Sequence, residues 1–97
     1  MINSKVKTYI GFAIKSNKII WGLDNLLTTK KIPYLIVIDN TLGEVSSRKL
    51  QQWLDKNNIP KVEIDEPLAG IFNKQNCKLI GIRNKELANA IINIMQN

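Results

Sequence analysis

The stretch "YLIVI", Tyr34–Ile38, decides the fold of this chain. It is a continuous apolar run that contains no polar residue. A strand with one solvated face alternates apolar and polar residues, whereas a strand that is covered on both faces stays apolar throughout. The run therefore predicts a central strand with other elements packed on both of its faces.

The segments on either side of this strand alternate between helical and strand-like apolar patterns. The predicted elements are a helix Ser4–Ser16, a strand Lys18–Trp21, a helix from Asp24 to near Lys31, the strand Tyr34–Ile38, a helix with Val45, Leu50, Trp53 and Leu54 on one face, a strand Val62–Ile64, a short helix Pro67–Phe72, a strand Lys78–Ile82, and a helix capped by Asn84 that buries Leu87, Ala88, Ile91, Ile92 and Met95. This order predicts an α/β fold, a three-layer α/β/α sandwich whose four-stranded mixed sheet carries helices on both faces. We expect residues 1–97 to form a single domain.

Composition narrows the class of protein. Hydrophobic residues make up 44 % of the chain, which is typical of a globular domain. The apolar runs are far shorter than the roughly 20 residues of a membrane span, and no signal-peptide core opens the chain. The lone Cys77 cannot form an internal disulfide and suits a reducing compartment. We therefore predict a cytoplasmic protein without a membrane partner.

Several kinds of reactive group are absent from the sequence. There is no histidine, and Cys77 has no histidine to activate it. The glycines stand apart, so no glycine-rich phosphate loop is present. Asp65 and Glu66 are neighbours in sequence and point apart in a strand or turn. These features predict a protein that is not an enzyme, has no catalytic residue, metal or cofactor, and takes no small-molecule substrate.

The net charge of +6 is unevenly distributed along the chain. Residues 1–38 carry a net +5, residues 39–66 a net −2, and residues 67–97 a net +3. If the fold brings the two ends of the chain together, a basic face results that suits a polyanion. The alternative is a basic protein whose lysines are scattered over a solvated surface.

A glycine interrupts two apolar runs in "GFAIKSNKIIWGLDNLL", Gly11–Leu27. Gly22 is predicted to end the strand in a tight turn, where its backbone is open to close approach by a ligand. Asp24 is placed to cap the helix that follows. The first N–H groups of that helix suit phosphate or base-edge acceptors. The alternative is that Gly22 only makes a turn and Asp24 only caps a helix.

The same stretch resembles the kink-turn-binding ribosomal protein family, the large-subunit proteins seven-Ae and thirty-e, in its bacterial form. The matching residues are Gly11, Ala13, Lys18, Ile19, Ile20, Gly22 and Asp24. The resemblance continues through "YLIVIDN", Pro60, Leu68 and "IGIRNKELANAII" and covers nearly the whole chain. It implies an α/β/α sandwich that binds RNA without catalysis, associated with the ribosome.

In the family, RNA is contacted by the turn into helix two and by the loop before the last strand. The resemblance therefore implies RNA-binding roles for Lys18, Gly22, Asp24, Asn25, Thr28, Lys31, Lys74, Gln75 and Asn76. Asn25 stands where the family usually has an acid, and Thr28 stands where it has a lysine. We expect a structured, kink-turn-like RNA as the partner, with ribosomal RNA as one candidate. The alternative is a protein-interaction module on the same fold in which RNA binding is weakened or lost.

The two tryptophans are further candidates for stacking on bases. Trp53 lies three residues after Leu50 on the predicted helix three, so its position favours a core role. Trp21 precedes Gly22, and its position favours neither role.

Overall fold

The computed structural model describes residues 2–96. It contains α1 (Ser4–Lys15), β1 (Ile19–Trp21), α2 (Gly22–Thr28), β2 (Leu35–Ile38), α3 (Glu44–Asn57), β3 (Lys61–Glu63), α4 (Leu68–Ile71), β4 (Leu79–Ile82) and α5 (Lys85–Met95). The predicted order of helices and strands is confirmed, and the strand bounds agree to within one residue.

The four strands form one mixed sheet in the order β1-β4-β2-β3. β4 runs antiparallel to both β1 and β2, and β2 runs parallel to β3. The apolar run is therefore in the middle of the sheet: Val37 lies between Ile80 of β4 and Val62 of β3. The predicted central strand is confirmed.

Two separate core clusters cover the two faces of this sheet. On one face Leu35 and Val37 pack against α1, α4 and α5, whose buried residues are Val6, Ile10, Ala13, Leu68, Ala88 and Ile91. On the other face Ile36 and Ile38 pack against α2 and α3, whose buried residues are Leu26, Leu50 and Leu54. Successive β2 side chains thus enter opposite cores, as strand geometry requires. The three-layer α/β/α sandwich is confirmed.

The first and last helices lie side by side on one face of the sheet, because α1 packs against α5. Asn84 caps α5 as predicted, and its side-chain oxygen accepts a hydrogen bond from the backbone N–H of Leu87 at 2.9 Å. A free N–H at the start of a helix commonly finds a partner of this kind.

The prediction is wrong for the side chain of Val45 and for the end of α2. Val45 is 61 % exposed, because its five-residue offset from Leu50 turns it about 140° away from the buried face of α3. α2 ends at Thr28 and does not reach Lys31. The hydroxyl of Thr29 accepts from the backbone N–H of Lys31 at 3.2 Å, a local bond that competes with continuation of the helix.

A buried carboxylate follows β2. Asp39 is 1 % exposed and accepts three hydrogen bonds. The donors are the backbone N–H of Thr41 at 2.8 Å, the hydroxyl of Thr41 at 2.6 Å, and the backbone N–H of Leu68 at 2.7 Å. Asp39 therefore ties the start of α4 to the end of the central strand.

Candidate functional site

Two adjoining cavities open where β1 meets α2. One has a volume of about 350 Å³ and the other of about 280 Å³. Both are lined by Trp21, Gly22, Asn25 and Asn76. We call the residues that line these two cavities the Gly22 face. The face combines the start of α2, the loop between α4 and β4, and one side of α3 near its N-terminus.

Gly22 forms a left-handed turn at the centre of this face. Its φ is +82°, a value that favours glycine. A Cβ atom at this position would meet nothing within 4 Å, so the rest of the protein leaves this side of the half-buried backbone open. The predicted turn is present, and it leaves room for a ligand to approach the main chain.

The predicted cap at Asp24 is wrong. Trp21 holds the N-cap position of α2, and no side chain caps the helix. Because the helix already begins at Gly22, Asp24 falls within its first turn and not before it. The exposed carboxylate instead lines the larger cavity.

Asn25 and Thr28 bond to their own helix. The side-chain N–H of Asn25 donates to the carbonyl of Trp21 at 2.6 Å, which uses one of its two amide hydrogens. The hydroxyl of Thr28 donates to the carbonyl of Asp24 at 3.1 Å. Asn25 lines both cavities, whereas Thr28 lies in the last turn of α2 and lines neither. Of these two predicted contacts, the structure brings only Asn25 to the Gly22 face.

The loop before β4 lies beside the glycine turn, as expected. Asn73 and Asn76 adopt left-handed backbone angles, with φ of 52° and 61°. The backbone N–H of Cys77 donates to the carbonyl of Lys74 at 3.2 Å and closes the turn. The ammonium nitrogen of Lys74 lies 5.1 Å from the ring centroid of Trp21, within the range of a cation–π contact. Lys74, Gln75 and Asn76 therefore all belong to the Gly22 face.

Lys18 and Lys31 do not join this face. Lys18 precedes β1, and its carbonyl accepts from the backbone N–H of Arg83 at 2.8 Å, beyond the end of β4. The strand separates it from Gly22 by about 13 Å at the usual rise per residue. Lys31 lies between α2 and β2, and β2 begins at this same end of the sheet, where Leu35 pairs with Ile82. The sequence placed both lysines near the motif without showing which end of the sheet each would occupy.

Three polar residues of the Gly22 face are not predicted from the sequence. Ser46 and Lys49 lie one turn apart on α3, and Lys78 immediately precedes β4. Their spacing marks Ser46 and Lys49 as neighbours on a helix, but only the packing of α3 against α2 shows that they face the glycine turn. Lys49 and Lys78 are both exposed.

Cys77 forms part of the wall of the smaller cavity. The residue is 5 % exposed, and burial raises the pKa of its thiol. A raised pKa keeps the thiol protonated at neutral pH, so it serves as a small apolar group at this position.

Within residues 2–96, no group of three or more His, Cys, Asp or Glu side chains could hold a metal ion. None of the helices in this described part of the chain is both long and apolar enough to cross a membrane.

No family model and no curated protein matches this chain. Among solved structures, the chain is similar to a protein with unknown function from Bacillus halodurans. The two superpose with a TM-score of 0.85 over 98 % of this chain and 100 % of that chain, at 14 % sequence identity. At this identity the likeness shows the fold alone.

Proposed function

We propose that this protein binds structured RNA without catalysis, through the Gly22 face, as a ribosome-associated relative of the kink-turn-binding ribosomal proteins. The observation that carries the proposal is the charge around the two cavities. Lys49, Lys74 and Lys78 line them, with Asp24 as the one carboxylate among the lining residues. Lysines placed around a cleft contact phosphates, which supply a large part of the affinity for nucleic acids.

Polar groups suited to base edges lie between these lysines. The amides of Asn25 and Asn76 carry both donors and acceptors, and the carboxylate of Asp24 accepts. The open side of the backbone at Gly22 lets a base or phosphate approach the main chain closely. Phosphate-contacting lysines around a polar centre support recognition of a folded RNA over binding of any duplex.

Because threonine replaces the family's lysine at position 28, we expect the preference for kink-turns to be weak. The family's lysine is replaced by a hydroxyl that already donates to the carbonyl of its own helix at 3.1 Å. One phosphate contact of the family is therefore missing. This replacement also favours the alternative function, a protein-interaction module on the same fold in which RNA binding is weakened or lost.

Exchanging two lysines of the face for glutamate tests the proposal. We expect Lys74→Glu with Lys78→Glu to lower affinity for a kink-turn RNA and for a matched duplex alike, by about tenfold or more, because phosphate contacts are lost. The control is Lys18→Glu with Lys31→Glu, which changes the net charge equally at the other end of the sheet. We expect the control to lose far less affinity.

The measurement is a binding titration of both RNAs at two salt concentrations. The parent protein is expected to bind less tightly at high salt. Equal losses in both double variants would mean that only the total charge matters and would contradict a localised RNA face. RNA binding that is absent or indifferent to salt would favour the protein-interaction module.

A second experiment changes the glycine turn and the helix behind it. Thr28 lies four residues after Asp24 on the same side of α2, so Thr28→Lys is expected to strengthen kink-turn binding by about 1 kcal/mol. Gly22→Val is expected to abolish the preference for kink-turn over duplex. The left-handed backbone is expected to cost about 1–2 kcal/mol of stability, and the added Cβ itself meets no atom within 4 Å.

Asn25→Ala is expected to reduce the preference for the kink-turn while leaving the salt dependence unchanged, since it removes base-edge contacts but no charge. Competition between labelled kink-turn RNA and unlabelled duplex measures that preference. If these three variants discriminate between the RNAs as the parent does, the turn at Gly22 has only a structural role.

A further inference from the structure

A second groove lies between α2 and α3, next to the Gly22 face. It has a volume of about 300 Å³ and is lined by Leu27, Lys49, Gln52, Trp53 and Lys56. We call it the Trp53 groove. Two lysines and no carboxylate line it.

The α3 side of this groove is one continuous helix face. Lys49, Gln52, Trp53 and Lys56 follow the i, i+3, i+4, i+7 spacing that brings side chains into line. Lys49 and Lys56 are therefore two turns apart, about 10 Å along the helix, with Trp53 between them. Both lysines are exposed.

Trp53 is held in place and is still accessible. It packs against the core cluster between the sheet and α3, yet it remains half-buried and lines the groove. The expected packing of Trp53 against the core is therefore present, but part of its side chain also lines the groove. Across the groove Leu27 is 43 % exposed and supplies a second apolar wall.

The Trp53 groove adjoins the Gly22 face, because Lys49 lines both. A ligand that fills the larger cavity at Gly22 can thus follow α3 past Lys49 to Trp53. An aromatic ring between two spaced lysines is the arrangement that binds single-stranded nucleic acid, with bases stacked on the ring and phosphates on the lysines.

We infer that the Trp53 groove binds an unpaired stretch of the same RNA whose folded part occupies the Gly22 face. This inference rests on the proposed function and extends the interface from the glycine turn along α3. An uncharged apolar groove would suit a protein helix, whereas two lysines without a carboxylate complement the phosphates of an RNA strand.

The experiment compares a kink-turn RNA with the same RNA carrying a short unpaired adenosine tail at its 5′ or its 3′ end. One of the tails is expected to raise affinity for the parent protein at least fivefold, since stacking of a base on an aromatic side chain has at least this effect. Trp53→Leu keeps an apolar side chain for the core and is expected to remove this gain while still binding the untailed RNA.

Lys56→Gln is a second variant that does not disturb the core. It is expected to reduce the gain from the tail, whereas Lys61→Gln, the same change on the edge strand β3, is expected to leave the gain intact. The chain has two tryptophans, so the difference in fluorescence between the parent and Trp53→Leu isolates the emission of Trp53. Saturating tailed RNA is expected to quench that fluorescence more than saturating untailed RNA does.

The outcomes separate the two proposals. If the parent binds the untailed RNA and gains nothing from either tail, the Trp53 groove is not an RNA site and the proposed function stands. If a tail helps but Trp53→Leu and Lys56→Gln keep the full gain, the unpaired stretch lies elsewhere and the inference is wrong. If neither untailed nor tailed RNA binds, both proposals are wrong.

Discussion

Replacing Ile36 by alanine is expected to lower the free energy of unfolding by about 2–5 kcal/mol. Ile36 is 0 % exposed and lies on the central strand between β3 and β4, in the core that α2 and α3 cover. Removing its outer carbon atoms leaves a cavity in a cluster to which β1, α2, α3 and β4 also contribute buried side chains. Because these elements hold one another in place, the cavity cannot collapse by the movement of a single side chain.

The matched control for Ile36 is Val45→Ala. Val45 is 61 % exposed, so its truncation is expected to change stability by no more than about 0.5 kcal/mol. Denaturant titration measures both variants, and the midpoint for Ile36→Ala should fall while the slope stays the same. A loss below about 1 kcal/mol for Ile36→Ala would contradict a packed core between β2 and the helices α2 and α3.

Asp39→Ala is expected to cost about 1–3 kcal/mol, for a different reason. The carboxylate accepts three hydrogen bonds, and the one from the backbone N–H of Leu68 is buried. Alanine leaves these donors without their acceptor, and a buried donor that loses its partner pays its full desolvation penalty. We expect α4 to loosen first, because Asp39 holds its start to the end of β2.

Two further variants define the role of Asp39. Asp39→Asn keeps one oxygen acceptor and is expected to lose less stability than Asp39→Ala. Asp55→Ala removes an exposed carboxylate that accepts from the side chain of Gln51 at 2.8 Å, and it is expected to cost well under 1 kcal/mol. Thermal or denaturant unfolding compares the variants. Equal costs for Asp39→Ala and Asp55→Ala would show that the buried network is dispensable.

The contrast between these two residues shows how far the sequence predicts the fold. Ile36 is found within an apolar run, and an unbroken run is enough to indicate burial on both faces. Asp39 follows the same run by one residue, but its buried partner is Leu68, 29 positions away. A hydrogen bond between residues so far apart in the sequence produces no local sequence pattern. Asn84, by contrast, accepts a hydrogen bond from the first turn of the helix that it caps, and this cap is predicted from the sequence.

In the candidate site, too, local features are predicted from the sequence and contacts between distant elements are not. The glycine turn and the loop at Lys74 were identified from a resemblance whose segments keep their order along the chain. Lys18 lies apart from the Gly22 face, because a strand of three residues separates it from Gly22. Lys49 was missed because it comes from another element, and only tertiary packing brings α3 beside α2. Sequence therefore predicts which elements form, and packing decides which of their side chains meet.

The placement of the first and last helices in one layer bears on how the chain folds. β1 pairs with β4, where Ile19 lies opposite Ile82, and α1 packs against α5. The chain between β1 and β4 forms a long loop when these strands pair. Closing it is slow, because the chain loses conformational entropy before the contacts form. During synthesis the first two elements have to wait for the last two to leave the ribosome. The middle segment, β2 to β3, leaves the ribosome before β4, so β2 has only β3 beside it in the sheet until β4 emerges.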